Sequence, residues 1–299
     1  MKKTTMLRNL LHEPGLILVP CVCDCLTARC AEAVGFKSAC LSGSSMYDTE
    51  FGLPNIGLVT ATEVVNVVTY VAKSINIPLI VIADDGFGPM LSAYLTTQHL
   101  IRAGASGLYI CDRKPSITRG QHGIGDVLPR DEFLGKMSAA LEARDKEDKD
   151  CVIIARIDAG ATMGDEEVFA RAKACTELGV DVIFPNFHPS VSKDKEAAKK
   201  HLGELYRKAG APEVMIWGMG PDDFTAKDYA DINTKLWVNA RVDFIIAESI
   251  LEFYQNFKDT GTLPMRTFAM QPGTGPAADY LQKLRGKDVW NEIVKRNTK

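Results

Sequence analysis

Two adjacent aspartates, Asp84 and Asp85, follow an apolar run of mostly branched aliphatic residues and precede Gly86 and Gly88. An apolar run without polar alternation is typical of a parallel strand that is buried on both faces. The two carboxylates would then stand at the C-terminal end of that strand, where they suit a hard cation such as Mg²⁺. The alternative is structural, because aspartate is also a preferred cap for a helix that begins a few residues later.

Polar residues follow several other apolar runs. Arg156 could bind an anionic substrate group through two parallel hydrogen bonds. Residues 42–45, with the sequence SGSS, offer hydroxyls and backbone N–H groups to an anion, although such turns are also common as plain caps. Further candidates of this kind are Tyr47, Asp112 and Asn186. The set predicts a pocket for a small anionic molecule.

The longest connection without a strong pattern covers residues 114–129 and is rich in glycine. A loop of this length between a strand and a helix indicates a lid. It carries two catalytic candidates, Arg119 and His122. His122 is the better general acid or base, because an unperturbed imidazole titrates near neutrality. The alternative for His122 is a solvent-exposed loop residue without a role in catalysis.

Eight apolar, strand-like runs must position these groups. They cover residues 16–20, 39–41, 79–83, 107–110, 152–155, 182–184, 215–217 and 235–239. Helical patterns alternate with them, and residues 61–73, 131–144 and 165–178 are examples with apolar side chains recurring at three and four. The count of eight favours a (β/α)₈ TIM-type barrel over an open doubly wound sheet. In such a barrel the reacting groups come from loops at the C-terminal ends of the strands.

The C-terminal tail departs from this alternation. Residues 264–276 are rich in proline and glycine and indicate a linker, and residues 277–285 and 288–296 indicate two short helices. We therefore predict a catalytic barrel domain over residues 1–262 and a helical extension over residues 263–299. The extension would pack on another subunit, or alternatively cover the bottom of its own barrel.

Composition narrows the class of protein. The net charge of −3 argues against a nucleic-acid partner, and no apolar run is long enough to predict a membrane span. The N-terminal residues lack the sustained apolar segment of a secretory signal, and eight cysteines fit a reducing compartment, so we predict a cytoplasmic protein. Cys21, Cys23 and Cys25 lack a fourth zinc ligand nearby, which favours a packing role for them.

Six short segments carry a resemblance to a known family. They are LSGSS at 41–45, GLPNIGL at 52–58, ADDGFG at 83–88, AGASGLYICD at 103–112, ARIDA at 155–159 and FPN at 184–186. In this order they resemble the isocitrate lyase and phosphoenolpyruvate mutase superfamily, most closely its methylisocitrate-lyase-like branch, over most of residues 7–260. The resemblance implies a (β/α)₈ barrel, a small carboxylate substrate, Mg²⁺, and C-terminal helices swapped within a dimer of dimers.

The resemblance also implies roles for single residues. Ser42, Gly43 and Ser44 would hold a substrate carboxylate, and Arg156 would bind the anion with support from Asp112. Asp84 would remain as an acid near the metal. Asp85 could join it only if the strand has already ended, because neighbouring residues of a strand point to opposite sides.

Several family residues are replaced in this chain. Ile82 stands where the family has its first metal-site aspartate, and Cys111 stands where it has a glutamate. Asn55, Asn186 and Gly218 replace a common aspartate, glutamate and asparagine. Residues 117–122, ITRGQH, contain neither the cysteine nor the lysine of the lyase loop, and the mutase loop motif is also absent. Each lost carboxylate should weaken Mg²⁺ binding.

Three functions agree with this pattern. The first is an enzyme that breaks a carbon–carbon bond next to a carboxylate in a small 2-hydroxy or 2-oxo acid and stabilises an enolate as it forms. The second is a mutase or hydrolase that acts on a phosphonate such as phosphonopyruvate. The third is a barrel that has lost catalysis and binds a small acid. The substrate itself does not follow from the sequence.

Overall fold

The computed structural model describes residues 1–114, 126–185, 194–210, 213–217, 223–239, 242–262, 279–281, 283 and 286–298. The chain divides into two compact units, Met1–Asp243 and Phe244–Lys299. The first unit holds all the candidate site residues that are described. The domain boundary after residue 262 stays a prediction.

The first unit is built on a ring of parallel strands. These are β1 (Ile17–Val19), β2 (Cys21–Val22), β3 (Ala39–Leu41), β4 (Leu79–Ile82), β5 (Gly107–Cys111), β6 (Val152–Ile157), β7 (Val182–Pro185), β8 (Met215–Trp217) and β9 (Leu236–Val238). Strands β2 to β7 pair in chain order, β8 pairs with β9, and β9 pairs with β1. A parallel bridge between Ile183 and Val214 joins β7 to the residue before β8. The predicted (β/α)₈ barrel is confirmed.

The first barrel strand is interrupted at Pro20. Sequence predicts one strand over residues 16–20, whereas the structure has β1 before the proline and β2 after it. Proline has no N–H to donate to a ladder, but the Pro20 carbonyl still accepts a hydrogen bond of 2.9 Å from the Cys40 N–H. Because β1 pairs with β9 and β2 pairs with β3, the two halves together close the ring.

Helices connect the strands. They are α1 (Lys3–His12), α2 (Cys25–Val34), α3 (Gly43–Met46), α4 (Ala61–Ser74), α5 (Met90–Ala103), α6 (Arg130–Glu147), α7 (Gly160–Met163), α8 (Asp165–Leu178), α9 (Lys195–Ala209) and α10 (Ala226–Asp231). Side-chain caps fix several starts. Thr60 and Glu63 form a capping box at α4, and Asp24 and Thr27 form one at α2. Asp24, a polar residue at a strand end, is therefore a structural cap.

An apolar cluster fills the inside of the barrel. It contains inward-facing residues of the strands, among them Ile82, Tyr109, Cys111 and Phe184, together with Leu7 of α1. Leu7 lies against the start of β5, where a Cβ on Gly107 would stand 3.0 Å from its Cδ2. Helix α1 therefore covers the N-terminal end of the barrel interior, and the site is left to the C-terminal ends of the strands.

The second unit contains helices. Helix α11 spans Val242–Thr260, beginning at the unit boundary, and a C-terminal helix spans Lys287–Asn297. The latter agrees with the helix predicted over 288–296, and residues 279–281 and 283 are helical within the other predicted helix. The linker predicted at 264–276 lies outside the described residues. No helix among the described residues combines the length and the apolar character that a membrane crossing requires.

Candidate functional site

Asp84 is held in an uncommon backbone conformation directly after β4. Its φ of 41° lies in the left-handed region, which few residues other than glycine adopt. Its carboxylate Oδ2 accepts a short hydrogen bond from the hydroxyl of Tyr47. Tyr47 is buried and begins a π-helical turn, Tyr47–Phe51, that follows α3. The two residues thus form a phenol–carboxylate pair at the C-terminal end of the barrel.

Asp85 faces a different partner. Its Oδ1 accepts a hydrogen bond of 3.1 Å from the Phe87 N–H, and its Oδ2 lies 3.5 Å from the Lys136 Nζ. The same ammonium donates to the Asp85 carbonyl at 2.8 Å, and Lys136 is only 1% exposed. A buried ammonium requires such a counter-charge. The strand ends before Asp85, which is the condition under which Asp85 could join a metal site. The Asp85 carboxylate is nevertheless bound to Lys136 of α6.

Two arginines share one buried carboxylate. Arg156 near the end of β6 donates from Nε to Asp158 Oδ1 at 3.1 Å, and Arg113 after β5 donates from Nε to Asp158 Oδ2 at 2.5 Å. The Arg156 guanidinium also lies 5.0 Å from the centre of the Phe184 ring. No described residue accepts a hydrogen bond from the terminal nitrogens of either arginine. Among the described residues, the terminal N–H donors of both planar groups are therefore available to an anion.

The electrostatics of the two arginines agree with this geometry. Burial is the largest single effect and lowers the pKa of Arg156, but the charge of Asp158, its hydrogen bond and the neighbouring Cys111 and Tyr109 together raise the pKa above the usual value. Asp158 is fully buried and takes its two hydrogen bonds from these arginines. Two guanidinium groups on one carboxylate leave the trio with one net positive charge, which favours an anionic ligand.

The Cys111 thiol lies among the charged groups of the site. Burial raises the pKa of Cys111 to about 12, so the thiol is protonated at neutral pH. Arg156 and Arg113 lower this pKa, whereas Asp158 and Asp84 raise it, so all four charges act on one side chain. Cys111 is also the register partner of Arg156, and its N–H donates to the Asp84 carbonyl at 2.6 Å. The structure thus brings Asp84 and Arg156 to the same end of β4 and β6, which lie on either side of β5.

Asp112 lies behind the site. It is fully buried, accepts a hydrogen bond of 2.7 Å from the Asp158 N–H and pairs with Arg171 at 3.2 Å. Burial, followed by the charge of Asp158, raises the pKa of Asp112 to about 7, although Arg171 opposes this shift. Because its two oxygens are bound to the chain, Asp112 positions Asp158 and through it the two arginines.

The serine-containing turn packs closely on β4. A Cβ at Gly43 would stand 2.9 Å from Ile82 Cδ1 and 3.2 Å from Asn55 Nδ2, so any other residue there would require these side chains to shift. Ser42 precedes α3 and is buried, and the Ser44 hydroxyl accepts a hydrogen bond of 3.4 Å from Asn55 Nδ2. The three predicted carboxylate-binding residues therefore lie next to Ile82 and Asn55, two of the positions where family acids are replaced.

The donors present do not fit an Mg²⁺ site of the kind the resemblance implies. Ile82 offers no oxygen, Asn55 is an amide and the Cys111 thiol is protonated. Asp85 is bound to Lys136, which leaves Asp84 as the one carboxylate at the predicted position. Within the described parts of the chain, no group of three histidine, cysteine, aspartate or glutamate side chains could hold a metal ion. Mg²⁺ prefers several oxygen ligands in near-octahedral geometry.

Three candidates lie outside the described residues. These are Arg119 and His122 of the predicted lid and Asn186 after β7. Their predicted roles stay predictions, as does the lid itself.

Sequence reasoning missed two buried cations. Lys136 of α6 and Arg171 of α8 each support an acid of the site from an outer helix. Each lies on the buried face of its helix, Lys136 beside Phe133 and Met137, and Arg171 beside Val168. The sequence signal that could have identified them is a single cationic residue at a position where the helical pattern expects an apolar one. Arg113 was visible next to Asp112, but its pairing with Asp158 was not.

Comparisons with known proteins agree on a family. A family model described as phosphoenolpyruvate phosphomutase matches residues 7–202. The chain is 32% identical to a 2-methylisocitrate lyase of Aeropyrum pernix over 65% of its length, and this match spans 62% of that relative. It is 31% identical to an oxaloacetate decarboxylase of Paraburkholderia xenovorans over 97% of its length and 92% of that protein.

The fold is similar to that of solved structures along the whole chain. A phosphonopyruvate hydrolase solved in complex with oxalate and Mg²⁺ superposes with a TM-score of 0.82 over 100% of both chains, at 21% identity. This likeness concerns the barrel architecture, and the oxalate and Mg²⁺ belong to that protein.

Proposed function

We propose that this chain, which belongs to the isocitrate lyase and phosphoenolpyruvate mutase superfamily, breaks a carbon–carbon bond next to a carboxylate in a small 2-hydroxy or 2-oxo acid. The observation that carries the proposal is the pair of arginines on Asp158, whose terminal N–H donors have no acceptor among the described residues at the C-terminal end of the barrel. Active sites of this fold lie at that end.

The charge of the arginine pair suits an enolate-forming reaction. When a 2-oxo acid loses carbon dioxide, the electron pair of the broken bond stays with the 2-oxo acid fragment, and negative charge develops on its carbonyl oxygen. When a 2-hydroxy acid is cleaved, the negative charge develops on the hydroxyl oxygen as it loses its proton, and the electron pair of the broken bond leaves with the other fragment. A planar guanidinium binds two coplanar oxygens, so Arg156 would hold a carboxylate oxygen and the carbonyl oxygen together. Fixed cations that face the developing charge lower the barrier to its formation.

The Tyr47–Asp84 pair is the proposed site of proton transfer. The phenol donates its hydrogen bond to Asp84, so its oxygen can accept a second hydrogen bond from a substrate hydroxyl. For a 2-hydroxy acid, that hydroxyl must lose its proton as the bond breaks. Asp84 then takes the phenol proton while the phenol oxygen takes the substrate proton. For a 2-oxo acid that loses carbon dioxide, the Tyr47 phenol would give its proton to the enolate and then regain a proton from water.

A panel of small acids tests this function. The purified protein is incubated with hydroxy and oxo diacids, including oxaloacetate, and with phosphonopyruvate. Release of pyruvate is followed by lactate dehydrogenase, and release of phosphate is followed by a colorimetric assay. An Arg156→Ala variant purified in the same way identifies contaminating activity. We expect turnover of at least one oxo or hydroxy acid that the variant lacks.

Two other results would change the assignment. Phosphate release from phosphonopyruvate alone would replace the lyase reaction with hydrolysis at a phosphonate. Binding of acids without turnover of any of them would indicate a barrel that has lost catalysis.

A further inference from the structure

At two positions where the family has acids, this chain has the uncharged side chains of Ile82 and Asn55. Ile82 and Asn55 meet at the backbone of Gly43, where their atoms lie 2.9 Å and 3.2 Å from a Cβ built there. Ile82 is 3% exposed and belongs to the apolar cluster inside the barrel. A methyl group therefore fills the space that a ligand oxygen would need.

The one acid that remains at this place is bound to a neighbouring phenol. Tyr47 is 1% exposed, and its hydroxyl donates a short hydrogen bond to Asp84 Oδ2. A cation bound at this oxygen would compete with that hydrogen bond. The phenol thus blocks one direction of approach to the only carboxylate that the predicted metal site retains among the described residues.

Positive charge is instead built into the protein. The charges of Arg113, Arg156 and Asp84 all act on the Cys111 thiol, and the two arginines are joined by their hydrogen bonds to Asp158. Their side chains are only 14% and 13% exposed, which weakens solvent screening. A divalent cation near them would meet two like charges and one partner acid, Asp158, that both arginines already use.

We propose that the pocket binds its acid directly on Arg113 and Arg156 and needs no divalent cation. The inference rests on the proposed function in that it assumes a small 2-oxo or 2-hydroxy carboxylate as the ligand. It assigns Arg113, a residue for which the resemblance implies no role, as a second binding residue. Two guanidinium groups supply the charge and the directed donors with which a metal ion would otherwise hold the carboxylate and carbonyl oxygens.

Calorimetry with oxalate as the probe tests the proposal. Oxalate carries the two adjacent oxygen-bearing carbons of a 2-oxo acid. The full-length protein is dialysed against a chelator and titrated with oxalate, with and without added Mg²⁺. We expect the two dissociation constants to agree within about twofold. In a parallel titration, electron paramagnetic resonance should detect no stoichiometric binding of Mn²⁺ to the protein, with or without oxalate.

Two arginine variants, at positions whose side chains are similarly buried, test whether Arg113 belongs to the binding site. Arg113→Gln should weaken oxalate binding about tenfold or more, because one charged donor pair is lost. Arg144→Gln is the matched control. Arg144 is also 13% exposed and paired with an aspartate, Asp181, but that pair lies at the other end of the barrel, before β7. Oxalate binding by this control should be unchanged.

Each opposing result has a distinct meaning. Oxalate binding that requires Mg²⁺, or Mn²⁺ binding that Asp84→Asn abolishes, would overturn the metal-free pocket and leave the proposed reaction intact. Equal loss of binding in Arg113→Gln and Arg144→Gln would overturn the role of Arg113. Absence of oxalate binding under all conditions, together with no turnover in the acid panel, would overturn the proposed function as well.

Discussion

Replacing Arg156 by lysine should impair the protein although the formal charge is unchanged. Arg156 uses Nε to hold Asp158 at 3.1 Å, and its terminal nitrogens are the proposed substrate donors. A lysine has one ammonium at the end of a flexible stem, so it cannot donate to Asp158 and to two substrate oxygens in the same plane. It also loses the contact between the flat guanidinium group and the Phe184 ring, whose centre lies 5.0 Å from the guanidinium carbon.

The expected size of the effect follows from the lost hydrogen bonds. One hydrogen bond between charged groups contributes about 1.5 to 3 kcal/mol. Lysine would lose the bond to Asp158 or one of the two substrate bonds, together with part of the alignment. We expect a loss of about 2 to 4 kcal/mol, which corresponds to roughly 30-fold to 1000-fold in kcat/KM.

The assay compares two conservative variants. kcat/KM is measured on the acid that the panel identifies, and urea unfolding shows whether each variant remains folded. Arg144→Lys is the control, because Arg144 has the same side-chain exposure of 13% and an ion pair of 3.0 Å with Asp181. Activity of Arg156→Lys within about threefold of the wild type would refute the reasoning. An equal loss in Arg144→Lys would refute it too, since the effect would then not depend on the site.

Three further results are expected. Asp112→Ala should lower the free energy of unfolding by about 3 to 5 kcal/mol in urea titrations, because it leaves the fully buried Arg171 without Asp112, and a loss below about 1 kcal/mol would contradict this. Burial raises the pKa of Asp112 from 3.8 to about 7. Between these two pH values the folded protein therefore keeps a proton on Asp112 that the unfolded chain has lost. Stability relative to Asp112→Asn should therefore fall as the pH rises from about 4 to about 7, and a flat difference would contradict the shift. Truncation after Thr262 should reduce the particle mass in light scattering. Apolar side chains of the C-terminal helix, such as Trp290 with 65% exposure, need a partner surface. An unchanged mass would refute assembly through this extension.

The barrel could be predicted from the sequence, because strand and helix patterns depend on residues that are close together in the chain. All four residues of β4 are buried, as a strand covered on both faces requires, and the same holds for the five residues of β5. The break at Pro20 was also readable in principle, since a missing N–H is a local property. The predicted strand ends placed Asp84, Asp112 and Arg156 at the correct end of the barrel for the same reason.

The division of work among these residues was decided only by the tertiary structure. Asp84 and Asp85 are adjacent and chemically equal, yet the positive φ of Asp84 accompanies a turn in which one carboxylate meets Tyr47 and the other meets Lys136. Lys136 is 51 positions from Asp85, and Arg171 is 59 positions from Asp112. The sharing of Asp158 by Arg113 and Arg156 likewise joins two strands. Hydrogen bonds and ion pairs depend on distances of a few ångström between side chains far apart in the chain, and only the folded barrel sets those distances.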